Sequence, residues 1–526
     1  IAFAIAGGML VGATMSGNNQ SDGDVSKGAL KFGEVLTYIN RDYVDTVDIH
    51  YLVETGIKNM LGELDPHSVY ISAEDKALAN SQLEGGFEGI GIEFNIIKDT
   101  IYVVSPLSGG PSEKVGLHSG DKIIKVDDED VAGIGITNKD VFDKLRGKKG
   151  TKVKVTIKRR NVKEPMDFTI TRGKIPQTSV DVAYMVKNGI GYIKVSRFAA
   201  TTYDEFKAAM KKLLKQGMDK LIIDLQGNPG GYMDRAINMV DEMLPDNDLI
   251  VYTKGRQSKF NSTATAHRKG SFETEPVIVL INEGSASASE IVSGALQDND
   301  RALIVGRRSF GKGLVQMPID LSDGSEMRLT ISRYYTPSGR SIQKPYQNGH
   351  DKSYDLDLLE RYEHGEFFHA DSIQFNDSLK YETSKGRTVY GGGGIMPDYY
   401  VPFDTTYNTN YLSQLFAQNV IREYTLNYYE DHKAKFNSME YEDFKQNFQI
   451  SDQMLAEVIR MGEKSGVELN QEEFDRSKKY LKIYIKALLA RGEWGDDGFF
   501  PIFNETNEIF QQSLKLFDQA EALLTM

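Results

Sequence analysis

The chain has 526 residues, more than one hydrophobic core organises, so roughly three or four domains are expected. Its 40% hydrophobic and 26% charged residues are those of ordinary globular protein, and a formal net charge of −13 argues against general affinity for nucleic acid. Cysteine is absent, which excludes a disulfide framework, a thiolate zinc site and a cysteine nucleophile, but leaves the compartment open.

The first stretch, residues 1–15, is apolar or small throughout. It falls short of the ~18–20 apolar residues of a spanning helix and has the length of a signal h-region or the end of a signal anchor. A polar linker, 16–27, follows. An extracytoplasmic protein is expected, on the periplasmic side, exported or anchored to the inner membrane by this segment; no later stretch reaches spanning length. Residues 28–84 read as an N-terminal helical region. Phe32, Val35, Leu36 and Ile39 lie at helical spacing, and Tyr51, Leu52, Ile57, Met60 and Leu61 continue it. The helical pattern stops at Leu64-Asp65-Pro66-His67-Ser68, because proline disfavours helical geometry in the residue before it.

Residues 85–173 have a β texture. Short runs at Ile90–Ile96, Ile101–Val104, Lys122–Val126, Val153–Lys158 and Asp167–Thr171 alternate with Gly, Asp and Pro turn signals. The helix-like Pro111-Ser112-Glu113-Lys114-Val115-Gly116-Leu117, followed by Gly120-Asp121-Lys122-Ile123-Ile124, resembles a PDZ domain. The resemblance implies that Gly89-Ile90-Gly91-Ile92 is the loop whose backbone N–H groups take a peptide's terminal carboxylate, the peptide then pairing as an added strand. The basic run Lys144–Arg160 alternates with Val153, Val155 and Ile157 and reads as solvated strand faces.

Residues 174–401 read as α/β. Strands are expected at Gly191–Val195 and Lys220–Leu225, and helices at Tyr203–Leu214 and, after the turn Asn228-Pro229-Gly230-Gly231, at Met233–Leu244. Asn282 to Gln316 carries the chemistry. An apolar run, Val277–Ile281, leads into Gly284-Ser285-Ala286-Ser287-Ala288-Ser289-Glu290, then a helix, then a second apolar run, Ala302–Val305, then Gly311-Lys312-Gly313. The insertion 343–388 is polar and aromatic-rich, and 402–526 reads as a C-terminal helical domain.

The segment Gly306–Lys312 fits the first seven places of a phosphate-binding loop, but the eighth is Gly313 where a hydroxyl must hold Mg²⁺. No Gly-x-Ser-x-Gly elbow and no His-Glu-x-x-His pattern occur. Serine and lysine remain. A serine hydroxyl attacks only when a base takes its proton, and lysine is that base only when neutral, against an unperturbed pKa of ~10.4. Burial and nearby positive charge both lower it. Gln316, four residues beyond Lys312, shares its face on a regular strand or a helix and is placed to hold the amine. The N–H after the nucleophile, at a helix N-terminus, and the glycine turn at Gly230 and Gly231 are candidate oxyanion donors. Spacing leaves Ser285, Ser287 and Ser289 equally open.

Together, the serine cluster, Gly311-Lys312-Gly313-x-Val315-Gln316, the Asn228–Gly231 turn, Tyr334-Tyr335-Thr336-Pro337-Ser338-Gly339-Arg340, Leu64–Ser68 and Phe87–Gly91 resemble the carboxyl-terminal processing (tail-specific) proteases of peptidase family S41. The resemblance implies an α/β, α+β multidomain protein: a βαβ crotonase/ClpP-like protease core with an inserted PDZ domain and flanking helical regions. It implies Ser287 as nucleophile, Lys312 as base, Gln316 as support, and Ala288 with Gly230 or Gly231 as oxyanion donors. Peptide substrates with apolar C-terminal tails are implied, with no metal, cofactor or nucleic acid; oligomerisation is compatible with it. Arg146 is a candidate latch between the PDZ domain and the core. The insertion and the helical tail depart from the short family members. A catalytically inactive PDZ scaffold is the rival reading, against which the intact Ser287, Lys312 and Gln316 argue; the P-loop nucleotide binder is opposed by Gly313.

Overall fold

The computed structural model describes residues 21–525, apart from 82, 108, 161, 348, 350, 351 and 375. The apolar stretch 1–15 lies outside the described residues. Two helices open the chain, α1 (Ser21–Asp42) and α2 (Ile49–Gly62). Helix α1 thus begins inside the stretch read as a polar linker: its residues 24–30 are all exposed and show no apolar face. Asp48 caps α2 by accepting from the Tyr51 N–H at 3.1 Å, and α2 stops at Gly62, ahead of Pro66 as expected. Strand β1 (Val69–Ile71) and helix α3 (Ala73–Ser81) follow. Among the described residues no helix is long and apolar enough to cross a membrane.

The next unit enters on β2 (Gly86–Gly89) and contains β3 (Ile92–Ile96), β4 (Ile101–Pro106), α4 (Pro111–Val115), β5 (Lys122–Val126), β6 (Glu129–Asp130), α5 (Asn138–Leu145), β7 (Lys152–Lys158) and β8 (Met166–Thr171). It leaves on β9 (Gly173–Pro176), which pairs antiparallel with β2. The antiparallel order β3-β4-β5-β7-β8 surrounds Val103, Ile123, Val155, Ile157 and Ile170, all buried. In β7 the lysines alternate with buried Val153, Val155 and Ile157, so the basic run is strand periodicity. Arg146, at the end of α5, lies between the rings of Phe87 (4.5 Å) and Phe142 (4.3 Å), and its Nη1 donates to Ser81 Oγ of α3 at 2.9 Å.

The central sheet is built from β10 (Val180–Met185), β11 (Ile190–Val195), β12 (Lys220–Asp224), β15 (Val277–Ile281), β16 (Ala302–Gly306) and β21 (Tyr399–Tyr400), in that spatial order. All neighbours are parallel except β10 and β11. Strands such as Val277–Ile281 are apolar at every position because both sheet faces are covered. One face carries α6 (Thr202–Lys215), α7 (Met233–Asp241) and α8 (Ala288–Asp298).

A second sheet joins β1 to β18 (Glu326–Tyr335), which also pairs with β17 (Leu314–Asp320) and with β13 (Leu249–Gly255), itself paired with β14 (Ser262–Thr265). The insertion supplies α9 (Lys352–Glu363) and the β19–β20 hairpin (Lys380–Glu382, Thr388–Tyr390).

The tail is not one unit. Helices α10 (Asn410–Ala417), α11 (Val420–Phe436), α12 (Tyr441–Asn447), α13 (Asp452–Lys464) and α14 (Gln471–Phe503) bury their own core around Phe436, Phe444, Leu481 and Ile485. The last two, α15 (Glu508–Ser513) and α16 (Phe517–Thr525), instead bury Ile509, Phe510, Phe517 and Leu523 on the second face of the central sheet. The helical bundle meets the β3–β8 unit through polar pairs, Lys98–Glu423 (2.9 Å), Arg160–Asp431 (2.9 Å) and Arg491–Glu93 (3.3 Å).

Candidate active site

Parallel strands β12, β15 and β16 end on one edge of the central sheet, and each is followed by one segment of the site: the Asn228–Gly231 turn, the serine cluster and the lysine loop. The carboxyl ends of parallel strands are where open α/β sheets present ligand sites.

The geometry separates the three serines that spacing left equal. Ser285 is buried; its hydroxyl donates to Leu225 O at 2.8 Å and accepts from Asn282 N. Ser289 is buried and donates to Asn228 O at 2.9 Å. The half-buried Ser287 hydroxyl donates to no carbonyl among the described residues; its oxygen stands only as the N-cap of a capping box with Glu290. Its backbone sits at φ 56°, ψ −112°, outside the regions an L-residue prefers. Such strain persists only where surrounding bonds over-determine it, and it concentrates at functional sites.

Two buried side chains supply those bonds. Glu290, in the first turn of α8, accepts from Ser287 N (2.8 Å), Lys312 N (2.8 Å), Gly311 N (2.7 Å) and Ser309 Oγ (2.5 Å). One carboxylate therefore ties the nucleophile turn to the lysine loop. Burial pushes it up to about 7, against the pull of its four donors. Tyr334, at the end of β18, donates to Ser287 O (3.0 Å) and Lys312 O (2.5 Å), pinning the same two backbones from the other side. Neither role was read from the sequence. Glu290 had a signal: a polar residue three after a serine, on an otherwise apolar helix face, fits a capping pattern. Tyr334 stands in one of the resembling motifs, but nothing local pointed to this role, because its contacts are 47 and 22 residues away.

The Asn228–Gly231 turn is laced to the cluster. Asn228 O also accepts from Ala286 N at 2.9 Å, and Asn228 Nδ2 donates to Val195 O at 2.8 Å. A Cβ on Gly230 would stand 2.7 Å from Ser287 Cβ, and one on Gly231 only 2.1 Å from Phe198 O, so both approaches require glycine. The Gly230 N–H donates to Asn228 Oδ1 at 2.9 Å. The N–H groups of Gly231 and Ala288 have no acceptor among the described residues.

Lys312 is half-buried, and burial holds its ammonium below the ordinary lysine value. Glu290 and Asp65 oppose that shift and Arg328 adds to it. Its amine makes no hydrogen bond to Ser287 or Gln316 among the described residues. Gln316 instead donates from Nε2 to Thr330 Oγ1 at 3.1 Å, and Thr330 Oγ1 donates to Asp65 Oδ1 at 3.0 Å. The shared-face argument fails because Lys312 precedes β17 and the strand has a register shift between Val315 and Gln316.

In the β3–β8 unit, Gly89 ends β2 and Ile92 begins β3, with Ile90 and Gly91 between them. Ile90 O accepts from Ser112 N and Oγ, and Gly91 O accepts from Leu107 N. These carbonyls face the fold, while the Ile90 and Gly91 N–H groups have no backbone acceptor among the described residues. Gly91 adopts φ 74°.

Comparison with known proteins agrees with this division. Residues 189–349 match the model of "Peptidase family S41", residues 89–170 that of a PDZ domain, and residues 411–495 a family of unknown function, DUF8443. The chain is 39% identical over 345 residues to a carboxy-terminal-processing protease of Bartonella bacilliformis, covering 65% of this chain and 78% of that protein. It is 35% identical over 338 residues to the carboxy-terminal processing protease CtpB of Bacillus subtilis, covering 63% and 69%. Among solved structures, a photosystem II D1 C-terminal processing protease is 31% identical at a TM-score of 0.33, covering 58% of this chain and 82% of that one.

Proposed function

The chain belongs to the carboxy-terminal processing proteases, serine-type peptidases of family S41 with a PDZ domain, and on that premise we propose a Ser287–Lys312 endopeptidase that selects substrates by their C-terminal tails. Ser287 Oγ attacks a peptide carbonyl while neutral Lys312 takes its proton. The N–H groups of Ala288 and Gly231 receive the oxyanion, and Gly230 provides the close approach. As the C–N bond breaks, Lys312 returns the proton to the leaving amine. A water then hydrolyses the acyl-enzyme with Lys312 again as base. The observation that carries this reading is the contrast among the serines: Ser285 and Ser289 spend their hydroxyls on backbone carbonyls, and Ser287 does not.

Tail selection is supported by the Ile90 and Gly91 N–H groups and by the unpaired edge of β3, which suit carboxylate capture and strand addition. A peptide ending in apolar residues, offered as free acid and as amide, tests it. The acid is expected to be cleaved with kcat/KM at least about tenfold higher, the loss of a charge-assisted contact being on the order of 1.5–3 kcal/mol. Equal cleavage of both contradicts tail capture, and cleavage of neither contradicts the peptidase reading.

A further inference from the structure

Two sequence features have no part in that mechanism: Leu64–Ser68 and the insertion 343–388. They meet over the lysine loop. The insertion begins by clamping it, with Lys344 N donating to Gly311 O at 2.9 Å and Gly313 N donating to Gln343 Oε1 at 2.8 Å. Helix α9 then fastens on from above. Arg361 donates to Ser309 O (3.1 Å) and Arg308 O (2.8 Å), and Glu366, just beyond α9, pairs with Arg308 at 2.5 Å. From the first turn of α9 the buried Tyr354 ring stands edge-on to Phe310 at 6.1 Å and to His67 at 5.4 Å. Its hydroxyl meets His67 Nε2 at 2.7 Å. Lys344 Nζ lies 4.0 Å from the Tyr354 ring and 4.2 Å from Phe310, and bonds Tyr354 O and Asp357. The His67 loop is fixed from below: Asp65 accepts from His67 N (2.8 Å), Ser68 N (2.9 Å) and Ser68 Oγ (2.6 Å).

We propose that Tyr354 and His67 are a positioning pair that roofs the Lys312 pocket and keeps water from the amine, making the insertion a built part of the catalytic centre. The inference rests on the Ser287–Lys312 reading. The charges around the pair agree with it. Burial first, and then the Lys312 charge, depress His67 to about 4, with Lys344 adding to the effect and Asp65 opposing it. The imidazole beside Lys312 is therefore neutral at working pH. Lys312 itself faces Glu290, Arg328 and Asp65, and burial is the largest influence on it. Tyr354 faces Gln343, Glu290, Asp357 and Asp65, and burial holds its phenol protonated. The pair itself is therefore neutral, and the tyrosine hydroxyl gives the half-buried imidazole nitrogen the partner that water would otherwise have to supply.

The test is the pH profile of kcat on a peptide substrate for the full chain, Tyr354→Ala and Tyr354→Phe. Tyr354→Ala admits water, so the acid limb is expected to move about one pH unit up, lowering kcat about tenfold at pH 7 with KM within about twofold. Tyr354→Phe retains the ring and is expected to recover most of the rate. If Tyr354→Ala does not fold, His67→Gln is read for the same upward movement. An unmoved limb in the folded variants overturns the proposal. Full activity in Lys312→Ala would instead overturn the dyad reading beneath it, so the two failures are distinguishable.

Discussion

Ser287→Ala and Lys312→Ala are each expected to lower kcat by a factor on the order of 10⁴–10⁶, and the double variant by no more than the worse single one. Residues that act as one unit lose the whole advantage when either is removed, so their effects do not multiply. The residual rate belongs to the oxyanion donors and to binding, which neither change touches. Neither side chain donates a hydrogen bond among the described residues, and the Ser287 hydroxyl takes part only in the local capping box with Glu290. Stability is therefore expected to hold, and Lys312→Ala to raise it slightly if burying the ammonium is costly. Cleavage of casein or a peptide, alongside thermal unfolding of each variant, separates loss of chemistry from loss of structure. Multiplicative losses would show that serine and lysine act independently.

Glu290→Gln is expected to reduce kcat/KM at least about a hundredfold, although Glu290 touches no reacting atom. Each carboxylate oxygen accepts two donors. An amide supplies one acceptor and turns an N–H₂ toward the other pair, leaving Ser287 N and Lys312 N, or Gly311 N, unsatisfied at on the order of 1–3 kcal/mol for each buried group, since the Ser309 hydroxyl can accept as well as donate. In the first orientation the strained Ser287 backbone loses one of its restraints, and in the second the lysine loop does. The pH dependence of stability supplies an independent readout. In the folded state Glu290 titrates near 7, well above the ordinary glutamate value of 4.5. The folded chain thus binds this proton more tightly than the unfolded chain. The associated stability is present below the unfolded value and is lost as pH rises through 7, a change on the order of 3 kcal/mol. Glu290→Gln lacks this titration. Its stability deficit relative to the parent is expected to narrow between pH 4.5 and 7.5, as read by denaturant unfolding at several pH values. A deficit that widens would mean that the carboxylate is ionised and stabilising throughout.

How much of this was legible in the sequence follows from which interactions are local. Strands β5, β11, β15 and β16 and helix α6 could be read within a residue or two, because apolar periodicity is written into consecutive residues. The linker expectation gave way to a helix that starts at Ser21, and its exposed residues 24–30 show no buried stripe to mark it. The tail read as one helical domain because helicity does not say what a helix packs on; α15 and α16 belong to the central sheet. At the site, spacing left three serines, and only tertiary bonds at Leu225 and Asn228 occupy two of them. The pairing of Gln316 with Lys312 assumed a regular strand, and the register shift after Val315 defeats it. The joint hold of Glu290 and Tyr334 on Ser287 and Lys312 links three segments, each more than twenty residues from the next, which no periodicity records.

The most direct test of the central claim is the pH dependence of covalent labelling by a fluorophosphonate, with the modified residue located by mass spectrometry. The account predicts a single adduct on Ser287, forming at a rate that rises with pH through an apparent pKa below the ordinary lysine value and falls at least about a hundredfold in Lys312→Ala. An adduct on Ser285 or Ser289, or labelling of Ser287 at an unchanged rate in Lys312→Ala, would contradict it.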